Sequence, residues 1–263
     1  MDLNNPKTLN EKIQWLKLYD STPIKTFLTD KYLVKNYIKN KIGEKYVIPL
    51  LKVWDSYENI NFDSLPNKFV LKANHGSAMN IIVHDKKKID IKKIKQIAKK
   101  WMNINYAFKN GYEFHYMNIK PKIFAEKYFD NMNGDLYDYK VYCFNGRVES
   151  IAFLSGKKKF RRIAFFDSQW HKLNYTDTYP PFKKNIPKPL KLNEMIKICQ
   201  ILSKGFAFVR IDLYILNDGE IKFGEMTFTP NTGIINFKPK EQNRIFGEML
   251  KLPEKSPLPE QLI

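Results

Sequence analysis

The sequence has few cysteines and no long apolar run. Two cysteines, Cys143 and Cys199, are too few to staple a chain of 263 residues with disulfide bonds. Both lie in apolar surroundings, so we expect buried, reduced thiols. No stretch approaches the roughly 20 apolar residues of a membrane-spanning helix, and the first residues lack the apolar core of a signal peptide. These absences predict a cytoplasmic protein without membrane insertion.

Arginine is scarce, although the chain carries a formal net charge of +18. Only five of the 45 basic residues are arginines: Arg147, Arg161, Arg162, Arg210 and Arg244. Proteins that recognise bases and phosphates favour arginine, whereas lysine is also an ordinary surface residue. The charge therefore has two explanations, a polyanionic partner or a lysine-biased composition, and the second is simpler. Apolar residues make up 43% of the chain, enough for a dense core, which argues against intrinsic disorder.

Hydrophobic periodicity and turn signals predict an α+β protein with largely antiparallel sheets. Thr8 and Glu11 form a capping box that opens a helix, and further helices are predicted at residues 29–43, 90–101, 193–203 and 241–250. Short strands are predicted at residues 69–71, 81–83, 123–125, 139–144, 148–154, 162–166, 206–213 and 220–223. The pairs Asn145-Gly146 and Asp218-Gly219 are hairpin signals. No G-x-G-x-x-G follows a strand, which disfavours a parallel dinucleotide-binding fold.

Acidic and basic residues alternate in residues 206–233. Arg210 and Asp212 are two apart on a predicted strand, so their side chains share a face. The turn at residues 217–219 brings Glu225 back towards Asp212. Neighbouring carboxylates repel unless a cation lies between them, and carboxylate oxygens suit Mg²⁺. The residues alone leave two interpretations, a magnesium site and a cross-strand ion pair with Arg210.

Three other segments place polar residues in unusual positions. Lys72 ends an apolar strand and enters a small-residue turn, which predicts an anion-binding loop or an ordinary β-turn. Glu126 lies inside an apolar strand, which predicts a buried partner, a ligand or a position at the sheet edge. The basic run of residues 157–162 ends in Arg161 and Arg162 and predicts anion capture or a solvated loop.

The order of these motifs resembles that of the ATP-grasp superfamily: a strand lysine with a small-residue loop, E-K-Y-F, R-x-D, and a strand with a glutamate before T-x-T-P. More narrowly, the chain resembles the TupA-like ATP-grasp proteins of bacterial surface-polysaccharide biosynthesis over residues 9–250. The stretches that carry this likeness are LNEKIQWLKLYD, DKYLVKNYI, LPNKFVLKANHGS, DYKVYCFNGRV and FVRIDLYILNDGEIKFGEMTFTP.

The resemblance implies an ATP-grasp fold of two α+β subdomains that hold ATP between them. A short, mainly helical segment at residues 1–65 would precede a subdomain with the phosphate loop at residues 66–125. Residues 126–263 would form the second subdomain, with the metal site and a C-terminal helix. The helical segment replaces the fuller α/β domain that is usual in the superfamily.

The resemblance also implies the residues that bind the nucleotide. Lys72 would contact the phosphates, and Glu126 would bind the adenine amino group. Asp138 would bind the ribose, with Asp135 as the competing candidate. The other implied cofactor-binding residues are His75, Gly76 and Ser77 in the loop, Lys127 and Phe129 through their backbone, and Lys140.

The implied metal ligands are Asp212, Glu225 and Thr227, which would hold Mg²⁺. Many ATP-grasp enzymes have asparagine where this chain has Thr227, and a hydroxyl is a weaker ligand, so Asn231 is an alternative. The implied catalytic residues are Lys72, Arg210, Arg161 and Arg162, the last three near the transferred phosphoryl group.

The activity that the resemblance implies is that of an ADP-forming carboxylate–amine ligase. A carboxylate would attack ATP to give an acyl phosphate, which an amine would convert to an amide. The acid would be a uronic acid, linked to a sugar nucleotide or a polysaccharide, and the amine an amino acid or a small amino alcohol. Two alternatives remain open: a glycosyltransferase of the same pathway, and a basic nucleic-acid-binding protein, which the scarcity of arginine disfavours.

Overall fold

The computed structural model describes residues 1–109, 111–129, 137–156 and 160–255, and over these residues it contains two antiparallel sheets. The small sheet has the order β1-β4-β2-β3. Its strands are β1 (Leu50–Trp54), β2 (Phe69–Ala73), β3 (Asn80–Val83) and β4 (Ile123–Lys127). The large sheet has the order β10-β9-β5-β6-β7-β8. Its strands are β5 (Tyr137–Phe144), β6 (Arg147–Ser155), β7 (Arg162–Phe166), β8 (Lys172–Leu173), β9 (Phe208–Ile215) and β10 (Ile221–Thr227).

Six α-helices accompany the sheets in the described residues: α1 (Leu9–Tyr19), α2 (Pro23–Thr29), α3 (Val34–Lys41), α4 (Ile91–Met102), α5 (Leu192–Ser203) and α6 (Glu241–Met249). The predicted capping box is present, because Thr8 accepts the Glu11 backbone N–H and Glu11 accepts that of Thr8. Asp90 caps α4. The predicted α+β class with antiparallel sheets is confirmed. None of the helices in the described ranges has the length and apolar character needed to cross a membrane.

The large sheet is covered on both faces, as the alternation of apolar residues along its strands requires. Val141, Cys143 and Ile211 point towards α2, α3 and α5. Tyr142, Phe144, Phe165 and Phe208 point to the opposite face, where they pack with α1 and α6. Cys143 and Cys199 are buried free thiols, as expected.

The small sheet packs against α4 through Phe69, Leu71, Ile94 and Ala98. Its edge strand β1 was not predicted and lies inside the segment expected to be helical, residues 1–65, where it pairs with β4. The expected boundary after residue 125 falls within β4. The small sheet therefore begins before the expected boundary at residue 65 and continues past the one at residue 125. Strand β1 was missed because it is stabilised by pairing with the distant β4, which local periodicity does not reveal.

Candidate functional site

A pocket of about 330 Å³ is lined by both sheets and by the N-terminal helical segment. Lys31 comes from the turn before α3 and Lys35 from α3 itself, and Lys72 and Glu126 come from the small sheet. The loop between β2 and β3 contributes Ser77 to Asn80. The large sheet contributes Lys140, Asp212 and Glu225, and Arg161 precedes β7. Most of the charged residues singled out in the sequence thus converge on one pocket.

Strand register places the charged row of the large sheet. Glu225 lies opposite Asp212 on the neighbouring strand, and Lys140 lies opposite Asp212 on its other side. The register shifts at Gly224, between Phe223 and Glu225. A Cβ atom on Gly224 would lie 3.0 Å from the Asp212 carbonyl oxygen. Glycine at this bulge therefore lets β10 approach β9 closely where the two carboxylates meet.

Arg210 holds the two carboxylates in place. Its Nε and Nη2 donate to Asp212 Oδ1 and Oδ2 at 2.7 and 2.8 Å, a bidentate pair. Nη2 also donates to Glu225 Oε1 at 3.3 Å and to Thr227 Oγ1 at 3.2 Å. Burial by itself would lower the pKa of Arg210, but the Asp212 carboxylate raises it by more, and the net pKa lies above its ordinary value. This guanidinium therefore stays charged. The cross-strand ion pair that the sequence left open is thus present in the structure.

Lys140 bridges Asp212 and a further carboxylate, Asp138, on the same face. Its Nζ lies 2.5 Å from Asp212 Oδ2 and 3.0 Å from Asp138 Oδ2. Burial disfavours the charged lysine, but Asp138 and Asp212 together raise its pKa. Burial raises the pKa of Asp138. Asp138 Oδ1 is buried and has no hydrogen-bond partner among the described residues, and Asp138 is not one of the residues that line the pocket.

Glu126 is buried between two lysines. Oε2 lies 2.5 Å from Lys72 Nζ, and Oε1 pairs with Lys35 Nζ. Burial raises the pKa of Glu126, but Lys72 and Lys35 bring it below its ordinary value. The sequence had left open a buried partner, a ligand or an edge position, and the structure shows buried partners in the pocket wall.

Lys31 and Lys35 are the functional residues that sequence reasoning missed. Lys31 Nζ lies 2.7 Å from Glu225 Oε2. Burial raises the pKa of Glu225, but Lys31 and Arg210 hold it well below its ordinary value. Asp30 accepts the backbone N–H groups of Tyr32 and Leu33 and so shapes the turn that carries Lys31. The signal that could have found both lysines is their spacing of four residues, which would put them on one face of the helix predicted at residues 29–43. In the structure Lys31 lies in the turn before α3.

The loop after β2 divides between pocket and core. Ser77 lines the pocket. His75 is buried, with Nδ1 and Nε2 hydrogen-bonded to Asn74 Oδ1 and the Trp101 carbonyl oxygen, and burial lowers its pKa. A Cβ on Gly76 would lie 2.6 Å from Tyr106 Cδ2. Contrary to the implied role of the whole loop, His75 and Gly76 therefore serve packing behind the pocket.

The two neighbouring arginines at the start of β7 differ in their positions relative to the pocket. Arg161 lines the pocket, whereas Arg162 is exposed, and its Nη1 lies 3.4 Å from the Pro181 carbonyl oxygen. Successive residues at the start of a strand face opposite ways, so only one of the two arginines can face the pocket.

Lys127 and Phe129 flank the pocket wall without being part of it. The Lys127 backbone N–H donates to the Pro49 carbonyl oxygen, and its side chain lies over the Phe129 ring.

Thr227 Oγ1 donates to Glu225 Oε1 at 3.1 Å, also behind the wall. Asp135 and residues 157–159 lie outside the described residues.

The acidic side chains of the pocket determine what kind of metal site it can form. In the part of the chain that the structure describes, no group of three or more histidine, cysteine or acidic side chains could hold one. Asp212 and Glu225 supply two carboxylates, now neutralised by lysine and arginine. Mg²⁺ is commonly held by one or two carboxylates together with substrate phosphates. These residues therefore fit Mg²⁺ that arrives with a phosphate ligand and do not form a protein-only cage.

The chain is similar to one protein family and to several solved structures. No curated protein matches the chain. Solved structures that match include ATP-grasp ligase PsnB complexed with minimal precursor, Mg and ADP (12% identity, TM-score 0.42, 80% of this chain and 53% of that chain). D-alanine–D-alanine ligase from Bacillus anthracis complexed with ATP also matches (16%, 0.47, 77% and 55%), as does L-amino acid ligase from Bacillus licheniformis (16%, 0.45, 78% and 44%).

The chain spans about half the length of the first of these structures. The profile of the TupA-like ATP-grasp family matches residues 11–251, nearly the whole chain. The resemblance predicted from the motifs is confirmed, and the protein belongs to the TupA-like ATP-grasp family.

Proposed function

We propose that the protein is an ATP-dependent, ADP-forming ligase that joins a carboxylate to an amine. The observation that carries this proposal is one pocket whose lining combines five cations with the two facing carboxylates Asp212 and Glu225; the cations are Lys31, Lys35, Lys72, Lys140 and Arg161. A triphosphate needs such a concentration of cations, and facing carboxylates suit the metal ion that accompanies it. An ordinary structural ion-pair network would not need a cavity at its centre.

ATP would bind with its phosphates near Lys72 and Lys31 and its adenine near Glu126. Both lysines now pair with carboxylates of the pocket. Phosphate oxygens can replace these carboxylates as partners, so the lysines keep a counter-charge in either state. Asp138, which lies two residues from Lys140 of the pocket lining and has a buried oxygen without a partner among the described residues, would accept a ribose hydroxyl. Asp212 and Glu225 would hold Mg²⁺, which adds positive charge beside the phosphates.

The proposed reaction has two steps. An oxygen of the acid's carboxylate attacks the γ-phosphorus, the bond from that phosphorus to the β,γ-bridging oxygen breaks, and ADP leaves. The amine nitrogen then attacks the carbonyl carbon of the acyl phosphate, phosphate leaves, and the nitrogen loses a proton. Carboxylate and triphosphate repel each other, and Arg210, fixed by its bidentate pair with Asp212, is placed to offset that repulsion.

The substrates remain at the level of chemical class. The protein belongs to the TupA-like ATP-grasp family, which is associated with bacterial surface-polysaccharide biosynthesis. This association supports a uronic acid, free or carrier-linked, as the carboxylate substrate. An amino acid or small amino alcohol would be the amine, and the product would enter capsular or surface polysaccharide. A cytoplasmic location, where ATP is available, is part of the proposal.

The test is an ADP-release screen of uronic acids crossed with amines. We expect release that depends on both substrates, and a loss of at least about 100-fold in Lys72→Ala and Glu225→Gln, since each removes a charged contact to the phosphates or their metal. Lys92→Ala, an exposed lysine of α4, is the control and should retain full activity. Full activity in both pocket variants would contradict the proposal, and UDP release from a sugar nucleotide would favour a glycosyltransferase.

A further inference from the structure

A second cavity, of about 650 Å³, has a lining that shares no residue with the nucleotide pocket. Its walls come from α1 (Asn10), from Asp177 and Thr178, from residues 235–240 and from α6 (Asn243). Helices α1 and α6 cover the face of the large sheet that carries Tyr142. Arg210 lies opposite Tyr142 in the register and therefore on that same face. The second cavity and the catalytic row of the proposed ligase thus share one side of the sheet.

The segment of residues 176–179 connects the two cavities. Arg161 of the nucleotide pocket lies over the Tyr179 ring, with its Cζ 5.7 Å from the centroid. Tyr179 follows Asp177 and Thr178 of the second cavity directly. Burial raises the pKa of Asp177, whereas Arg210 and Lys140 act on it in the opposite sense, as charges close by do. Arg161 therefore contacts the segment that lines the second cavity, and Arg210 lies on the sheet face that this cavity shares.

Hydrogen bonds of the lining residues hold the wall of this cavity together. Thr176 and Lys238 exchange two backbone hydrogen bonds of 2.9 and 2.8 Å. Asn10 Nδ2 donates to the Ile235 carbonyl oxygen, and Asn10 Oδ1 accepts the Ile235 N–H. Asn243 Oδ1 accepts the Asn10 N–H. These contacts join α1, α6 and residues 235–238 into a preformed wall, as ligand pockets commonly have.

The lining combines groups that recognise hydroxyls with groups that attract negative charge. Asn236, Thr178 and Asp177 offer donors and acceptors, and Lys238 and Lys240 add two exposed cations. Within the described ranges, neither lysine forms an ion pair with a carboxylate. An amino alcohol is protonated at neutral pH and would be repelled by the two cations, and an apolar molecule would leave the amides unpaired. A hydroxyl-rich anion satisfies both sets.

We propose that this second cavity binds the acid that the ligase activates, and that this acid is a sugar acid. The inference rests on the proposed function and adds the location of the acid and the residues that recognise it. Arg210 then lies between nucleotide and acceptor, where the phosphoryl group is transferred. Asn236, Lys238 and Lys240 become residues that determine specificity, without contact to the nucleotide.

Calorimetric titration of the full chain with D-glucuronate and with UDP-glucuronate tests this inference, with ATP titrated in parallel. The double variant Lys238→Ala/Lys240→Ala should weaken sugar-acid binding about tenfold or more, because it removes charge-assisted contacts. Its ATP affinity should stay that of the wild type. The matched control is Lys92→Ala/Lys100→Ala on α4, which removes two exposed charges elsewhere and should change neither affinity.

The two probes distinguish the source of the sugar acid. Tighter binding of UDP-glucuronate, lost in the cavity variant, identifies a nucleotide-linked acid, and equal binding of the two identifies the free acid. Wild-type sugar-acid affinity in the cavity variant, or no binding of either probe to the wild type, overturns the inference. Neither of those results depends on ATP binding. The proposed function would instead be contradicted if the wild-type protein showed no Mg-dependent binding of ATP.

Discussion

The buried carboxylate of Glu126 provides a sharp test of how this pocket is held together. Glu126 is 4% exposed, and each of its oxygens faces one lysine, Lys35 or Lys72. Glu126→Gln keeps the shape of the side chain and removes its charge. The two lysines would then face each other across a neutral amide, in a wall that gives them little access to water. We expect the variant to fold with reduced stability.

The size of the effect follows from the geometry. At the 2.5 Å between Lys72 Nζ and Glu126 Oε2, the Coulomb attraction is about 7 kcal/mol with an effective dielectric constant of about 20. Desolvation offsets much of this, and removing one partner of a buried ion pair costs roughly 3–5 kcal/mol in practice. Lys35 and Lys72 keep 13% and 17% of their side chains exposed and can partly rehydrate. We therefore expect a loss of about 3 kcal/mol in the free energy of unfolding.

Urea denaturation of wild type and Glu126→Gln at pH 7 measures this loss. The control is Glu44→Gln, which breaks the exposed pair with Lys39 and should leave stability nearly unchanged. The pKa of Glu126 is lowered by folding, so its contribution is present above its ordinary pKa and is lost as the pH falls through the folded value. The gap between wild type and variant should accordingly narrow below about pH 4.5. Equal stability of Glu126→Gln and Glu44→Gln at pH 7 would refute the reasoning.

Two further predictions concern residues behind the pocket. Gly76→Ala should cost about 1–3 kcal/mol of stability, measured by urea denaturation, because its Cβ would lie 2.6 Å from Tyr106 Cδ2; an unchanged midpoint would contradict the packing role. Burial lowers the pKa of His115 to about 3 from an ordinary 6.5, so below pH 6.5 the unfolded chain binds a proton that the folded chain does not. Between pH 7 and pH 5 wild type should therefore lose about 2 kcal/mol more stability than His115→Gln, and parallel pH dependence of the two would refute this.

Much of the local architecture was predictable because its causes are local. The reciprocal bonds of Thr8 and Glu11 lie within one helical turn. Asn145 and Gly146 both adopt the positive φ that a two-residue hairpin turn needs, at 50° and 79°. Arg210 and Asp212 share a face because residues alternate along a strand. Patterns of this kind depend on neighbours in the chain, so one sequence suffices to predict them.

The candidate site was predictable only in part. Glu225 meets Asp212 because a short hairpin joins their strands, and this could be predicted from the turn. The pairing of Glu225 with Lys31 joins residues 194 positions apart and could not. Similarly, local sequence cannot show that His75 bonds to the Trp101 carbonyl oxygen while its neighbour Ser77 faces the pocket.

The sequence by itself determined the class of the fold, the family and the chemistry of the large-sheet row, because these depend on short-range patterns and on the order of motifs. Only the tertiary structure decided which of the many lysines serve the pocket. Lysine is a common surface residue, and its role depends on the carboxylate that lies opposite it in space. Lys35 on α3 and Lys31 in the preceding turn gained that role when the packing of this segment brought them to Glu126 and Glu225. The same packing formed the pocket, since neither sheet encloses it alone.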